Sequence, residues 1–304
     1  MKNLVTGAAA AAVLALGLSA CTNASTDSGA TSKVDVPDAS EKVAVETDQA
    51  AAALVPADIA DKGTISVAMD ASYPPFQMFA EDNKTIIGFD AEFATAVGER
   101  LGLDVELVNA GFDSILPGLS AGRYDMAESS FSVTPERQQS VDFVDYLQGG
   151  AGIAVTPGNP KDLSMDPMVL CGHKIAAQKG TTQAIEQLPA IAKLCTDAGK
   201  PAVQPELFPS QNDAILALNS GRVDGMMADS TAVSYQGALS GGKFELAPGE
   251  IYEARPTGIA LPKGSPLRAA VSAAVKSLYD DGTVNKLTAK WDIPDSNLSP
   301  TPGA

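Results

Sequence analysis

From Thr64 onward the chain alternates short apolar runs with stretches of helical period. Thr64 to Met69 reads as a strand, and Asp90 to Leu101 reads as a helix capped by Asp90, with Phe93 and Val97 on one face. Leu103 to Val108 predicts the next strand. Asp113 to Ala121 predicts a helix closed by Gly122, with Tyr124 to Ala127 as the strand behind it. This alternation argues for βα units and a mainly parallel sheet. Asp142 to Gly150 passes from strand-like residues into a Gly-Gly pair, where the chain is expected to cross to a second lobe. Three closing segments, Thr257 to Pro262, Leu267 to Asp280 and Thr283 to Trp291, predict a strand followed by helices, and periodicity alone lets them complete either lobe.

The pattern also repeats. LSAGRYDM at Leu119 to Met126 recurs as LNSGRVDG at Leu218 to Gly225, and each copy follows an Asp and an Ile-Leu pair: Asp113, Ile115, Leu116 and Asp213, Ile215, Leu216. Both copies place a helix, a Gly stop and a strand. Two similar α/β lobes are therefore expected, with about 100 residues between equivalent positions.

The N-terminal region is of another kind. Met1 and Lys2 precede an uncharged run of apolar and small residues from Gly7 to Ala20, the layout of an export leader and too short for a membrane span. Its end, Leu18, Ser19, Ala20, Cys21, resembles the bacterial lipobox, which implies cleavage before Cys21 and a diacylglycerol on its sulfur. Residues 21–60 are rich in Ala, Ser, Thr, Asp and Val without aromatics, and read as a disordered tether. About 240 residues remain for folded structure, enough for two modest domains or one large one.

Charge and cysteines narrow the picture further. With Lys2 removed the balance is 20 basic against 37 acidic residues, which would repel phosphate backbones, so no nucleic-acid partner is expected. In an oxidising exterior the remaining cysteines, Cys171 and Cys195, are expected as a disulfide rather than a metal site, since no His or Cys cluster accompanies them.

In open α/β sheets ligands sit beyond the carboxyl ends of strands, which directs attention to four loops. These are DASYPPF at Asp70 to Phe76, ESSFSVTPER at Glu128 to Arg137, QKGTTQ at Gln178 to Gln183, and ADST at Ala228 to Thr231. Together they supply the complement of a zwitterion. Arg137 can take a carboxylate in bidentate fashion and Asp229 can hold an ammonium. Ser130, Ser132 and Thr182 add donors, Thr181 and Thr182 lie where a helix start would favour an anion, and Tyr73, Phe76 and Phe112 offer flat walls.

These loops, with GFD at Gly88 to Asp90, FDSILPGLSAGRYDM, SSFSVTPERQQSVDF and DDGTVNKLTAKW, resemble the family 3 extracellular solute-binding proteins, the polar amino-acid receptors of bacterial ABC importers. The resemblance spans about Lys62 to Pro294. It implies an α/β, two-lobe periplasmic-binding-protein-like fold of type II with the ligand in the interlobe cleft. The boundaries it suggests are a leader at 1–20, a tether at 21–60, lobe one at 61–148 and 251–294, lobe two at 149–250, and a tail at 295–304. By position, Arg137 would hold the ligand carboxylate, Ser130, Ser132 and Thr182 would assist, and Asp229 would hold the amino group. Tyr73 would stack on the ligand side chain, and Asp70 is a further contact. Glu128 departs from the pattern, being acidic where the family usually has a small or apolar residue, and the cysteine pair resembles an actinobacterial subset. Asp70 and Glu128 together would lean the pocket towards a polar or cationic side chain.

The implied partners are a free amino acid, the importer's membrane subunits and, through the lipid, the outer face of the cell membrane; the protein would act as a monomer without cofactor or metal. The rival reading is an enzyme on the same fold, of dehydratase or cell-wall lytic type. It would need a shifted carboxylate such as Glu128, because the one histidine, His173, falls at the amino end of its strand, away from a cleft.

Overall fold

The computed structural model describes residues 35–38 and 40–304; the expected leader, Cys21 and the first part of the expected tether lie outside the described residues. The tether is shorter than its composition suggested. Helices α1 (Gln49–Ala52) and α2 (Ala57–Lys62) form inside it. Asp48 caps α1 through the Ala50 and Ala51 amides, its own N–H donates to Arg100 O at 2.9 Å, and its other oxygen accepts from Ser277 Oγ at 2.8 Å. Val43, Val45, Val55 and Ile59 pack against the core. These residues are too sparse to show helical period, yet a few aliphatic side chains laid on a neighbouring core are enough to order a segment that could not fold alone.

Lobe one opens with β1 (Thr64–Met69). Three short strands, β2 (Ser72–Tyr73), β3 (Gln77–Phe79) and β4 (Ile86–Ile87), form a small antiparallel sheet before α3 (Phe89–Leu101). Then follow β5 (Asp104–Asn109), α4 (Phe112–Ser120), β6 (Met126–Ala127) and β7 (Val141–Gly149). The second lobe holds β8 (Ala151–Val155), β9 (Lys174–Gln178), α5 (Leu188–Asp197), β10 (Gln204–Phe208), α6 (Gln211–Asn219), β11 (Gly225–Asp229), α7 (Ser230–Leu239) and β12 (Glu245–Leu246). The chain closes with β13 (Arg255–Pro262), α8 (Arg268–Asp280) and α9 (Thr283–Lys290).

The two main sheets have matching plans. Their orders are β5-β1-β6-β13-β7 and β10-β9-β11-β8-β12. In each, three parallel strands carry the βα units, while the strands next to the crossings run antiparallel, so the sheets are mixed rather than parallel throughout. The first crossing lies at Gly149 and Gly150 between β7 and β8, and the second between β12 and β13, which returns to the first sheet beside β7. Period-two alternation sets the layers: Ile65, Val67 and Met69 face one core with α3, α8 and α9, whereas Ala68 faces the other with α4.

The repeated octapeptides occupy equivalent places. Arg123 N donates to Gly118 O and Arg222 N to Ala217 O, and Gly122 and Gly221 take left-handed φ of 72° and 71° that close α4 and α6. Asp125 Oδ2 then accepts from Ser66 N in β1 at 2.8 Å, as Asp224 Oδ2 does from Lys174 N in β9 at 3.0 Å. In lobe two a disulfide joins Cys171 to Cys195 of α5. The tail lies along β7: Leu298 bridges Leu147, Asn297 Nδ2 donates to Gln148 O at 3.0 Å, and Gly303 N donates to Asp145 O at 2.8 Å. Among the described residues no helix is long and apolar enough to cross a membrane.

Candidate functional site

The carboxyl ends of β1, β6, β9 and β11 converge on one cavity between the lobes, lined by Asp70, Tyr73, Phe112, Ser130, Ser132, Arg137, Thr182 and Asp229. Arg137 is fixed by its surroundings. One guanidinium nitrogen donates to Ser132 O at 2.8 Å and another reaches across to Gly180 O of lobe two at 2.9 Å, while Phe112 and Phe131 flank its plane at 5.8 and 5.5 Å. Burial pushes its pKa down to about 10, and among the described residues no carboxylate lies within 4 Å of it. A desolvated guanidinium with only neutral partners is a strong receptor for an anion.

Asp229 ends β11 and caps α7, its Oδ1 accepting from Thr231 N at 2.9 Å. Burial pushes its carboxyl up to about 6. Its Oδ2 comes so near the crossing that a Cβ on Gly149 would sit 2.6 Å away, which is why a residue without a side chain stands there. The main-chain N–H of Asp229 donates to Tyr73 Oη of lobe one at 3.0 Å.

At another part of the cavity Asp70 Oδ2 accepts from Phe112 N at 3.2 Å and from Gln178 Nε2 of lobe two at 2.7 Å. Burial raises the Asp70 pKa. No cationic side chain among the described residues lies within 4 Å of it. Gln77 and Ser129 also line the cavity: Ser129 Oγ accepts from Gln77 Nε2 at 2.9 Å and from Asp70 N at 3.1 Å, and Gln77 Oε1 is buried without a partner.

Three expectations need correction. Phe76 does not line the cavity; it belongs to the lobe-one core and supports Tyr73 from below, with ring centroids 6.0 Å apart. Asp90 does not cap α3, whose N-cap is Gly88. It is fully buried, accepting from Ser130 N and Oγ at 2.8 and 2.9 Å and from Tyr146 Oη at 2.8 Å. Glu128 does not line the cavity: it follows β6 and is fully buried with both carboxylate oxygens unpartnered, while its neighbour Ser129 lines the cavity.

Thr181, expected at a helix start that favours an anion, lines the cavity, and four further cavity residues went unnoticed in the sequence: Gln77, Ser129, Gln178 and Gln183. All lie in or directly beside the four loops, and the signal was their amide and hydroxyl groups at strand ends. Thr182 precedes a short π-helical turn, Gln183–Gln187, that leads into α5. His173 sits at the amino end of β9 with Nδ1 3.2 Å from Asp224, at the opposite end of the strand from Gln178. No group of three or more metal-ligating side chains occurs among the described residues.

A buried polar cavity walled by two α/β lobes that two chain crossings join is the architecture of a bacterial two-lobed binding protein. The sequence profile of the bacterial extracellular solute-binding proteins, family 3, matches residues 65–293, and the chain belongs to that family. It is 29% identical over 262 residues to the arginine-binding protein ArgT of Corynebacterium glutamicum, covering 86% of this chain and 85% of that one. With the L-cystine-binding protein TcyA of Bacillus subtilis it shares 30% identity, over 77% of this chain and 83% of the other. Among solved structures, an ancestral arginine-binding protein bound to arginine superposes with a TM-score of 0.68 and 31% identity, covering 75% and 98% of the two chains.

Proposed function

We propose that this protein is the extracytoplasmic receptor of an ABC importer and binds one free polar amino acid between its lobes. The observation that carries this reading is the presence, in one cavity, of an Arg137 guanidinium without an acidic partner and an Asp229 carboxylate from the opposite lobe. Arg137 takes the ligand carboxylate with help from Ser130, Ser132 and Thr182, and Asp229 takes the ammonium. Because the ligand touches both lobes, it favours the closed arrangement by its differential affinity. Tyr73 and Phe112 flank the side chain, and the lean towards a cationic one rests on Asp70 and on the free acceptor Gln77 Oε1. Relatives named for arginine fit that lean, and the relative named for cystine keeps a neutral polar ligand in view.

Export, cleavage and lipidation at Cys21 would hold the receptor, as a monomer, at the outer face of the membrane; replacing Cys21 by Ala tests this by releasing the protein. The enzyme reading has little support: His173 is far along its strand from the cavity and Glu128 lies outside it. The decisive experiment is calorimetry with the twenty amino acids and with N-acetylated and amidated forms of the tightest. Arg137→Ala should cost roughly 2 to 5 kcal/mol of binding, by analogy with truncated buried charge pairs. Affinity that survives blocking of either backbone terminus defeats the two-ended clamp, and conversion of the added amino acid defeats the receptor reading.

A further inference from the structure

Glu128 is a fully buried acidic residue of lobe one that does not line the binding cavity. It follows β6 directly, its main-chain N–H donates to Ala68 O, and its side chain is wholly buried with neither oxygen bonded. The carboxyl close to it is Asp90 of α3, which binds Ser130, two residues further along the chain from Glu128, and accepts from the Tyr146 hydroxyl on β7. Asp90 in turn holds Ser130, a cavity residue kept at φ 50°, through both its N–H and its hydroxyl. A chain of acids thus runs from the cavity inward: Asp229, then Asp90 behind Ser130, then Glu128. The titratable groups facing Asp90 and Glu128 are Tyr146 from β7, Tyr73 from β2 and Asp229 from lobe two, and none brings a positive charge.

Two carboxyls buried together without a cation do not both ionise, because the second charge would face the first in a poorly solvating interior. We infer that Asp90 and Glu128 act as one acid pair that retains a single proton, and that the arrival of a ligand ammonium at Asp229 expels the other proton to solvent. Glu128 is the member that keeps its proton; as a neutral acid it is a donor, and its rotation towards Asp90 stabilises the single negative charge. Burial pushes Asp90 up to about 7 and Glu128 well above the usual carboxylate range, in agreement with this order. Glu128 is therefore a positioning residue that acts on the ligand through Asp90 and Ser130, and it makes capture of the amino acid a proton-releasing event. The inference rests on the receptor reading for its ligand but not for the pair itself.

Two measurements test it. In ligand-free protein labelled with 13C at Asp and Glu carboxyls, one member of the pair should hold its protonated shift at pH 7 while the other titrates near neutrality; two ordinary midpoints near 4 overturn the pair. Calorimetry with L-arginine, and with L-glutamine as a second ligand carrying the same α-ammonium, in buffers of different ionisation enthalpy should show proton release between pH 5.5 and 8. Affinity should rise with pH, by up to about tenfold per unit for each proton expelled, and level off above the midpoint. Glu128→Leu removes the donor and should move the midpoint of that profile up by about half a pH unit or more, while Glu128→Gln, which keeps a donor, should leave it near the wild type. Asp229 titrates equally in all three proteins and drops out of the comparison. No proton release, or a Glu128→Leu profile that superposes on the wild type or moves to lower pH, overturns the inference. If no amino acid gives heat, the receptor reading fails and the carboxyl titration still decides the pair; if Glu128→Leu does not fold, the wild-type titration decides it.

Discussion

Tyr73 of lobe one and Asp229 of lobe two meet across the cleft: the phenol oxygen accepts the Asp229 main-chain N–H at 3.0 Å while the Asp229 carboxylate turns to cap α7. On the proposed reading the same two residues would serve both closure and ligand capture.

Removing the phenol oxygen should weaken the closed state without unfolding either lobe. Tyr73→Phe should lower amino-acid affinity by about fivefold, the worth of roughly 1 kcal/mol for one hydrogen bond. Calorimetry measures the affinity, and small-angle scattering with saturating ligand should still show the compact form.

Asp229 has two roles that substitutions can separate. Asn keeps an oxygen for the Thr231 N–H and should leave the melting temperature close to that of the wild type while abolishing most binding. Ala loses the cap as well and should cost about 1 kcal/mol of stability in addition. Equal melting temperatures for Asn and Ala variants would show that the cap contributes nothing.

The ligand-free protein should lose stability as pH rises from about 4 to 7. Asp90 and Asp229 are pushed up to about 7 and about 6, so the folded chain binds more protons than the unfolded one across that window. Groups with raised folded pKa values contribute fully below the unfolded value, and that contribution disappears as pH passes the folded one. Urea titrations at a series of pH values check the slope, and saturating ligand should flatten or reverse it.

The disulfide closes a loop of 24 residues within lobe two. Replacing both cysteines by serine should cost about 3 kcal/mol on the chain-entropy account, more if the hydroxyl at the buried Cys195 finds no partner. Denaturation of the reduced wild type should give a similar loss.

Much of this molecule could be read from spacing. The apolar run Thr64–Met69 coincides with the first strand, and the repeated octapeptide marks equivalent turns in both lobes, because turn glycines and strand-leading aspartates are local requirements. What escaped was settled by neighbours distant in sequence. Phe76 is an aromatic beside a ligand loop, yet the small β2–β4 sheet turns it inward. Asp90 stands where a cap belongs, but Ser130 and Tyr146, 40 and 56 residues away, claim its carboxylate. The segment from Val43 to Ile59 has too little apolar content to fold alone, and its order comes from the surface of α3 and α8.

The C-terminal tail adds a third link between the lobes. Asn297 is bonded to Gln148 beside the first crossing on one side and, at 3.2 Å, to Thr231 of α7 on the other, and the chain then runs back along β7 to end near Asp145. If the lobes close by bending at Gly149 and Gly150, as proposed, the motion must stretch or release a contact outside the cleft. A dye attached near Ser296 would report closure from the rear of the molecule, where it competes with neither ligand nor cavity wall.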